Sequence, residues 1–245
     1  MSDIVTQQLE IEVEPGVRTG AYAALPARAD GCPGVLVLGE IWGVNGNIRA
    51  VCERLARAGA VALAPDPYRG EAPPRETDPI EQVLGFFDRY DDPRGIRDCR
   101  AALGVLAHGL GIAPRALFAW GFCKGGRFAH YLGAFDSRLA GVINFYGRIT
   151  FARDPVLKPF TPLDVAGLIE APYLGLFAER DPLIAAADVA ALRAAFERRG
   201  HRHHLHIYAG AEHAFFNDTR PSHHPQVAAD AWAKALAFIT AGALP

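Results

Sequence analysis

No run in the 245-residue chain approaches the roughly 18 uninterrupted apolar residues of a membrane-spanning helix, and residues 1–16, MSDIVTQQLEIEVEPG, have neither a basic n-region nor an apolar h-region. A soluble, unexported, cytoplasmic protein without a membrane partner is expected. Cysteine is scarce: Cys32, Cys52, Cys99 and Cys123 are widely spaced with no C-x-x-C pair, which fits reduced thiols better than a disulfide framework. An excess of either charge is missing too. Lys and Arg number 25 against 27 Asp and Glu, a net charge of −2, so there is no overall pull toward a phosphate backbone, and no nucleic acid partner is expected. Neither G-x-G-x-x-G nor G-x-x-x-x-G-K-[ST] occurs, which argues against nucleotide binding. What is present is a globular composition: 50% hydrophobic, 21% charged, mean hydropathy +0.07. With no repeat, linker or composition break, residues 1–245 are expected to form one domain.

Leu9, Ile11 and Val13 alternate with Glu10, Glu12 and Glu14, the period-2 pattern of a half-exposed strand ending at Pro15-Gly16. A second strand at about Thr19 to Leu25 completes a hairpin. Short apolar runs then predict buried strands at Val35 to Leu38, Ala60 to Ala64, Ala116 to Trp120, Gly141 to Phe145, Tyr173 to Phe177 and His203 to Tyr208. Helical spacing places helices at about Asn47 to Ala58, Ile96 to Leu110, Phe128 to Leu132, Ala185 to Arg199 and Ala228 to Ile239. Strand and helix alternate, which predicts an α/β fold: a mainly parallel sheet covered by helices on both faces, with an antiparallel N-terminal hairpin at its edge. The proline-rich stretch Pro65 to Pro79 is too long for a simple connection and is a candidate cleft wall or lid.

Ligands of an open parallel sheet bind beyond the carboxyl ends of its strands, and four such ends carry Glu40, Cys123, Asp181 and His213. Cys123 lies in Gly121-Phe122-Cys123-Lys124-Gly125-Gly126 between a strand and a helix, the setting of a nucleophile elbow with cysteine in place of serine. Small neighbours tolerate the sharp turn, the helix N-terminus favours thiolate, and adjacent amides can cradle an oxyanion. Cys52 and Cys99 fall on apolar helix faces and read as core, with Cys32 in a loop. His213 is the best-placed proton acceptor, against the bland alternative of a solvated loop histidine. Asp181 is the orienting acid, with Glu179 in reserve; a turn or helix-cap aspartate fits the same sequence. Glu40 needs a partner at that depth, and the amides of Ile41 and Lys124 are the candidate oxyanion donors. The Lys124 side chain either lowers the thiol's proton affinity, meets an anionic substrate, or is simply solvated. His201, His203, His204 and His206 have no nearby Cys or carboxylate to complete a metal site, and read as an edge or solvated face.

Together, Gly39-Glu40-Ile41-Trp42-Gly43-Val44-Asn45, Ala64-Pro65-Asp66-Pro67-Tyr68, the Cys123 elbow, Phe145-Tyr146-Gly147, Asp181 and Gly210-Ala211-Glu212-His213-Ala214-Phe215 resemble the dienelactone hydrolase (carboxymethylenebutenolidase) family of the α/β-hydrolase superfamily. The resemblance implies a Cys123, His213 and Asp181 triad, with Glu40 contacting the resting thiol. It also implies cofactor-free and metal-free opening of a carboxylated unsaturated lactone to maleylacetate, through a thioester. Candidate substrate contacts are Trp42, Arg69, Arg75, Tyr146 and Asn217. Asn217 stands where the family places a carboxylate-binding arginine four residues after the histidine, with Arg220 nearby, and Arg69 and Arg75 are the arginines available in the Pro65 to Pro79 region. That departure keeps open an esterase or lactonase for uncharged substrates. A non-catalytic hydrolase-fold binder is the rival from another class, and a monomer or small homo-oligomer is expected.

Overall fold

The computed structural model describes residues 3–75, 77–113 and 115–245. The chain opens with a hairpin of β1 (Ile4–Glu14) and β2 (Val17–Pro26), turning at Gly16 with a φ of +77° that a side chain would resist. Six more strands follow: β3 (Gly34–Leu38), β4 (Val61–Pro65), β5 (Leu117–Phe122), β6 (Leu139–Phe145), β7 (Tyr173–Arg180) and β8 (His203–Glu212). They form one sheet in the order β1-β2-β4-β3-β5-β6-β7-β8. The β1/β2 and β2/β4 pairs are antiparallel and the rest parallel. The helices are α1 (Gly46–Arg57), α2 (Ile80–Asp88), α3 (Asp92–Gly104), α4 (Lys124–Phe135), the single turn α5 (Pro162–Val165), α6 (Ala186–Glu197) and α7 (Pro225–Ala241).

Every residue of β3, β4 and β5 is buried, which requires cover on both faces of the sheet. Side chains alternate along β5 and show the two layers. Trp120 packs on Trp232 of α7 with ring centroids 5.3 Å apart, while Gly121 on the other face lies against Gly125 of α4. Arg54 of α1 sits 3.9 Å above the Trp232 ring, joining α1 to α7. On the opposite layer Tyr90 meets Phe128 of α4 edge-on at 5.6 Å. Cys52 and Cys99 are buried on α1 and α3, Cys32 is half-buried in a loop, and all four thiols are free. No helix among the described residues is long and apolar enough to cross a membrane.

The structure departs from the sequence pattern in several places, the unexpected single turn α5 among them, and two of these bear on the site. The helix expected over Ile96 to Leu110 starts earlier, because Asp91 caps it by accepting from Arg94 N at 2.9 Å and Pro93 suits its first turn; it then loosens into a π-turn over Val105–Gly109. Helix α2 was not expected at all. It follows directly on the proline-rich stretch, in which Glu76 lies outside the described residues, and α2 supplies more of the cleft wall than that stretch does.

Candidate active site

Five strand ends converge on one cavity of about 410 Å³. Glu40, Ile41 and Trp42 come from the end of β3, Cys123 from β5, and His213 from β8, all lining it. Asp181 follows β7 and stands behind His213, and Tyr146 follows β6. Three of these turns hold non-glycine residues at positive φ: Cys123 at +52°, Tyr146 at +41° and Ala214 at +63°. Backbone of that kind persists only where its surroundings enforce it.

For Cys123 the enforcing contacts are visible. Its N–H donates to Phe145 O at 3.0 Å, ending the β5/β6 ladder, and Lys124 begins α4 at once. A Cβ on Gly121 would stand 1.9 Å from Gly125 O, and one on Gly125 would stand 1.9 Å from Leu38 O. Strand β5, helix α4 and the end of β3 therefore close around the cysteine more tightly than any side chain permits, which is why glycine flanks it.

His213 Nδ1 is 2.6 Å from Asp181 Oδ2, and Asp181 Oδ1 accepts from Leu183 N at 2.8 Å, so both carboxylate oxygens are engaged. The side chain of Asp181 is fully buried. Burial opposes a charged His213, but the charged form of Cys123 and the hydrogen bond with Asp181 outweigh it and raise the imidazole above its ordinary value; Nε2 is buried without a hydrogen-bond partner among the described residues. Tyr146 packs edge-on against the His213 ring, centroids 5.2 Å apart. The reserve acid, Glu179, is turned away and accepts from Gly210 N at 2.7 Å.

Glu40 is 4% exposed. Its Oε2 accepts from Asn217 Nδ2 at 2.8 Å, and Oε1 has no hydrogen-bond partner among the described residues. Burial raises its carboxyl above the ordinary glutamate value; Asn217, the charge of His213, Tyr146 and Arg220 pull the other way without prevailing. The contact with the resting thiol that the resemblance implied is thus not a hydrogen bond here: Asn217 holds Oε2, and Oε1 accepts from no group among the described residues. Asn217 itself is buried, held by Thr219 N–H and Oγ–H on its Oδ1 at 3.0 and 2.7 Å, and it faces Glu40 instead of the cavity.

Other expected contacts are corrected in the same way. Arg69 is bound by Asp98 at 2.9 and 2.6 Å and by Glu14 at 2.7 Å, well outside the cavity lining. Arg75 points to solvent and pairs with Asp78, and of the two only Asp78 reaches the cavity. Tyr146 is wholly buried behind His213 and Glu40, while Trp42 does line the cavity. Lys124 is not a solvated lysine. It is 4% exposed, with its ammonium 3.6 Å from the Tyr90 ring centroid and 4.4 Å from that of Tyr68, and burial pulls its amine down to about 7. Tyr68 also donates to Ile41 O at 2.6 Å, fixing the chain after β3. The cavity walls that the sequence reading missed are Val83, Leu84 and Phe87 of α2, Leu183, and the two arginines Arg127 and Arg148. Arg127 lies one helical turn after Cys123 and Arg148 just after Phe145-Tyr146-Gly147, so their spacing from recognised motifs was the available signal.

The dienelactone hydrolase family model matches residues 19–242. A protein of Methylorubrum extorquens named "Putative carboxymethylenebutenolidase" is 33% identical over 231 residues, covering 94% of this chain and 78% of its own length. A Bradyrhizobium protein named "Probable 2-oxo-3-(5-oxofuran-2-ylidene)propanoate lactonase" is 31% identical over 219 residues, covering 89% and 88%. The crystal structure of a "Putative Dienelactone Hydrolase" from Klebsiella pneumoniae superposes with a TM-score of 0.90 at 31% identity, over 97% of this chain and 98% of that one. The chain therefore belongs to the dienelactone hydrolase family, hydrolases of ester bonds built on the α/β-hydrolase fold.

Proposed function

We propose that the chain is a cysteine-dependent hydrolase that opens an unsaturated lactone such as dienelactone to maleylacetate. The observation that carries this reading is the cavity-lining Cys123 at φ +52°, together with His213, whose Nδ1 is fixed on Asp181 at 2.6 Å and whose charged form is favoured by a negative Cys123. That coupling is what a thiolate–imidazolium pair requires. Cys123 Sγ attacks the lactone carbonyl carbon, forming the C–S bond, while the amides of Ile41 and Lys124 receive the developing oxyanion. The ring C–O bond then breaks, and the enolate that leaves takes a proton from His213. Neutral His213 next draws a proton from water, whose oxygen attacks the thioester and releases the carboxylic acid and Cys123. Asp181 holds the imidazole tautomer throughout. The four free cysteines suit a reducing, cytoplasmic compartment.

The test is turnover of cis- and trans-dienelactone, followed by absorbance, beside p-nitrophenyl acetate and with Cys123→Ala as control. Preferential, Cys123-dependent turnover of dienelactone is expected. Cys123-dependent turnover of the acetate alone would move the substrate to an uncharged ester, which the apolar wall of Val83, Leu84, Phe87 and Leu183 also accommodates. A folded Cys123→Ala protein at full rate would overturn the nucleophile.

A further inference from the structure

Against the apolar wall the cavity sets cationic side chains, and two of them have unmet hydrogen-bonding capacity. Arg127 is fully buried. Its Nη2 donates to Asp92 Oδ1 at 2.8 Å, yet Nε and Nη1 have no hydrogen-bond partner among the described residues. Arg148 lines the same cavity, and its Nε is likewise buried without a partner. A guanidinium carries five N–H donors and no acceptor, so unpaired buried donors are costly unless a ligand supplies oxygen. The two groups are also electrostatic neighbours: burial first, and then the charge of Arg127, disfavour the cation of Arg148, while the negative charges of Cys123, Asp188 and Asp88 favour it.

The carboxylates at hand do not answer this demand. Asp92 reaches Arg127 Nη2 through Oδ1 and its Oδ2 has no hydrogen-bond partner among the described residues, Glu40 is held by Asn217 through Oε2 alone, Asp188 accepts from Thr150 at 2.8 Å, and Asp78 at the cavity accepts from Arg75 N at 2.8 Å; none of them accepts from Nε or Nη1 of Arg127 or from Nε of Arg148. The arginines that the resemblance offered for a substrate acid group are engaged or absent from the cavity: Arg69 is consumed by Asp98 and Glu14, Arg75 faces solvent, and position 217 is asparagine.

We propose that Arg148, backed by Arg127, holds the carboxylate of the substrate, in an anion site on α4 and the loop after β6 and not at position 217. The proposal rests on the hydrolase reading above and names the residues that select the acid group of its substrate. A planar carboxylate offers two acceptor oxygens to guanidinium donors, and its charge offsets the Arg127–Arg148 repulsion. The chain on either side is anchored: Gly147 N–H donates to Asn144 Oδ1 at 2.8 Å, and Arg127 N–H to Cys123 O at 3.2 Å, which ties the subsite to the elbow.

The test is protection of Cys123 from iodoacetamide, read at the Cys123 peptide by mass spectrometry, with hexa-2,4-dienoate compared to its uncharged amide. In the wild-type protein the acid is expected to protect at about 10- to 100-fold lower concentration than the amide, the range of a charge-assisted hydrogen bond. Arg148→Gln removes that preference and Arg148→Lys restores part of it. Equal protection by acid and amide in the wild type, or a preference that survives Arg148→Gln, would overturn the subsite. Failure of the hydrolase reading shows elsewhere, as turnover that persists in Cys123→Ala, and leaves the protection ratio unaffected.

Discussion

Gly125→Ala tests whether the reactivity of Cys123 depends on the closeness of α4 to β3. The new Cβ would stand 1.9 Å from Leu38 O and 2.4 Å from its carbonyl carbon, whereas ordinary contact begins at 3.4 Å. The backbones must therefore separate by about 1.5 Å, the difference between 3.4 and 1.9 Å along the contact to the oxygen. Because both partners are main chain, no rotamer can relieve the overlap, and the start of α4 has to move, carrying the elbow with it. Overpacking of this kind costs about 1–3 kcal/mol of stability. A misplacement of about 1 Å at reacting groups is enough for on the order of a 100-fold loss of rate. The expected result is a folded protein with a lowered urea midpoint and kcat/KM for p-nitrophenyl acetate reduced by about 100-fold or more. Gly46→Ala is the control: Gly46 opens α1 at ordinary φ, with nothing within 4 Å of the added Cβ, and alanine there is expected to leave stability unchanged or raise it by up to about 1 kcal/mol. Wild-type turnover in Gly125→Ala would refute the argument that this close approach positions the thiol.

Glu40→Gln should change the pH dependence of stability. Folded Glu40 holds its proton more tightly than the ordinary value of 4.5, so its contribution favours the folded state at low pH and is lost as pH rises past 4.5 toward the folded value, at up to about 1.4 kcal/mol per pH unit. Urea unfolding should show the variant gaining on the wild type as pH is raised from 4.5, and a constant difference would contradict the buried, poorly paired carboxylate. His130 behaves in the opposite sense. It is buried with Nδ1 3.0 Å from Tyr173 Oη and Nε2 2.8 Å from Pro162 O, and burial lowers its imidazole from 6.5 to about 3. The unfolded chain therefore binds the extra proton first, and stability should fall as pH drops below 6.5, by up to about 1.4 kcal/mol per unit; His130→Gln should lack that slope, and an identical slope would exclude His130 as its source. Asp181→Asn should lower kcat by about 1,000-fold or more while keeping the thermal midpoint within a few degrees, because the tautomer of His213 is lost and the turn to Leu183 retains an acceptor. Loss of less than about tenfold would remove Asp181 from the orienting role.

The parts of the site that the sequence disclosed are those tied to backbone grammar. Buried strands read as short apolar runs, and the motif around Cys123 needs glycine where β5, α4 and β3 touch, a demand visible as Gly121 and Gly125 before any coordinates. Helix α2 was hidden because the prolines before it broke the expected rhythm and its burial depends on the cavity it covers. Side-chain allegiance was harder still. Arg69 could have served substrate or structure, and only the fold shows Asp98 and Glu14 reaching it. Asn217 read as a missing arginine, whereas in three dimensions it is the partner of a carboxylate 177 residues away. Lys124 was open to three readings because nothing in a linear chain reveals that Tyr68 and Tyr90 would close around its ammonium. Non-local contacts decided each of these, and periodicity carries no record of them.

Rapid-quench mass spectrometry of the protein mixed with p-nitrophenyl acetate addresses the nucleophile most directly. One acetyl group per chain should form at the rate of the p-nitrophenol burst, map to the peptide containing Cys123, and decay with steady-state turnover. Turnover without an acyl-enzyme, or acylation that maps to Lys124 instead, would contradict the thioester route.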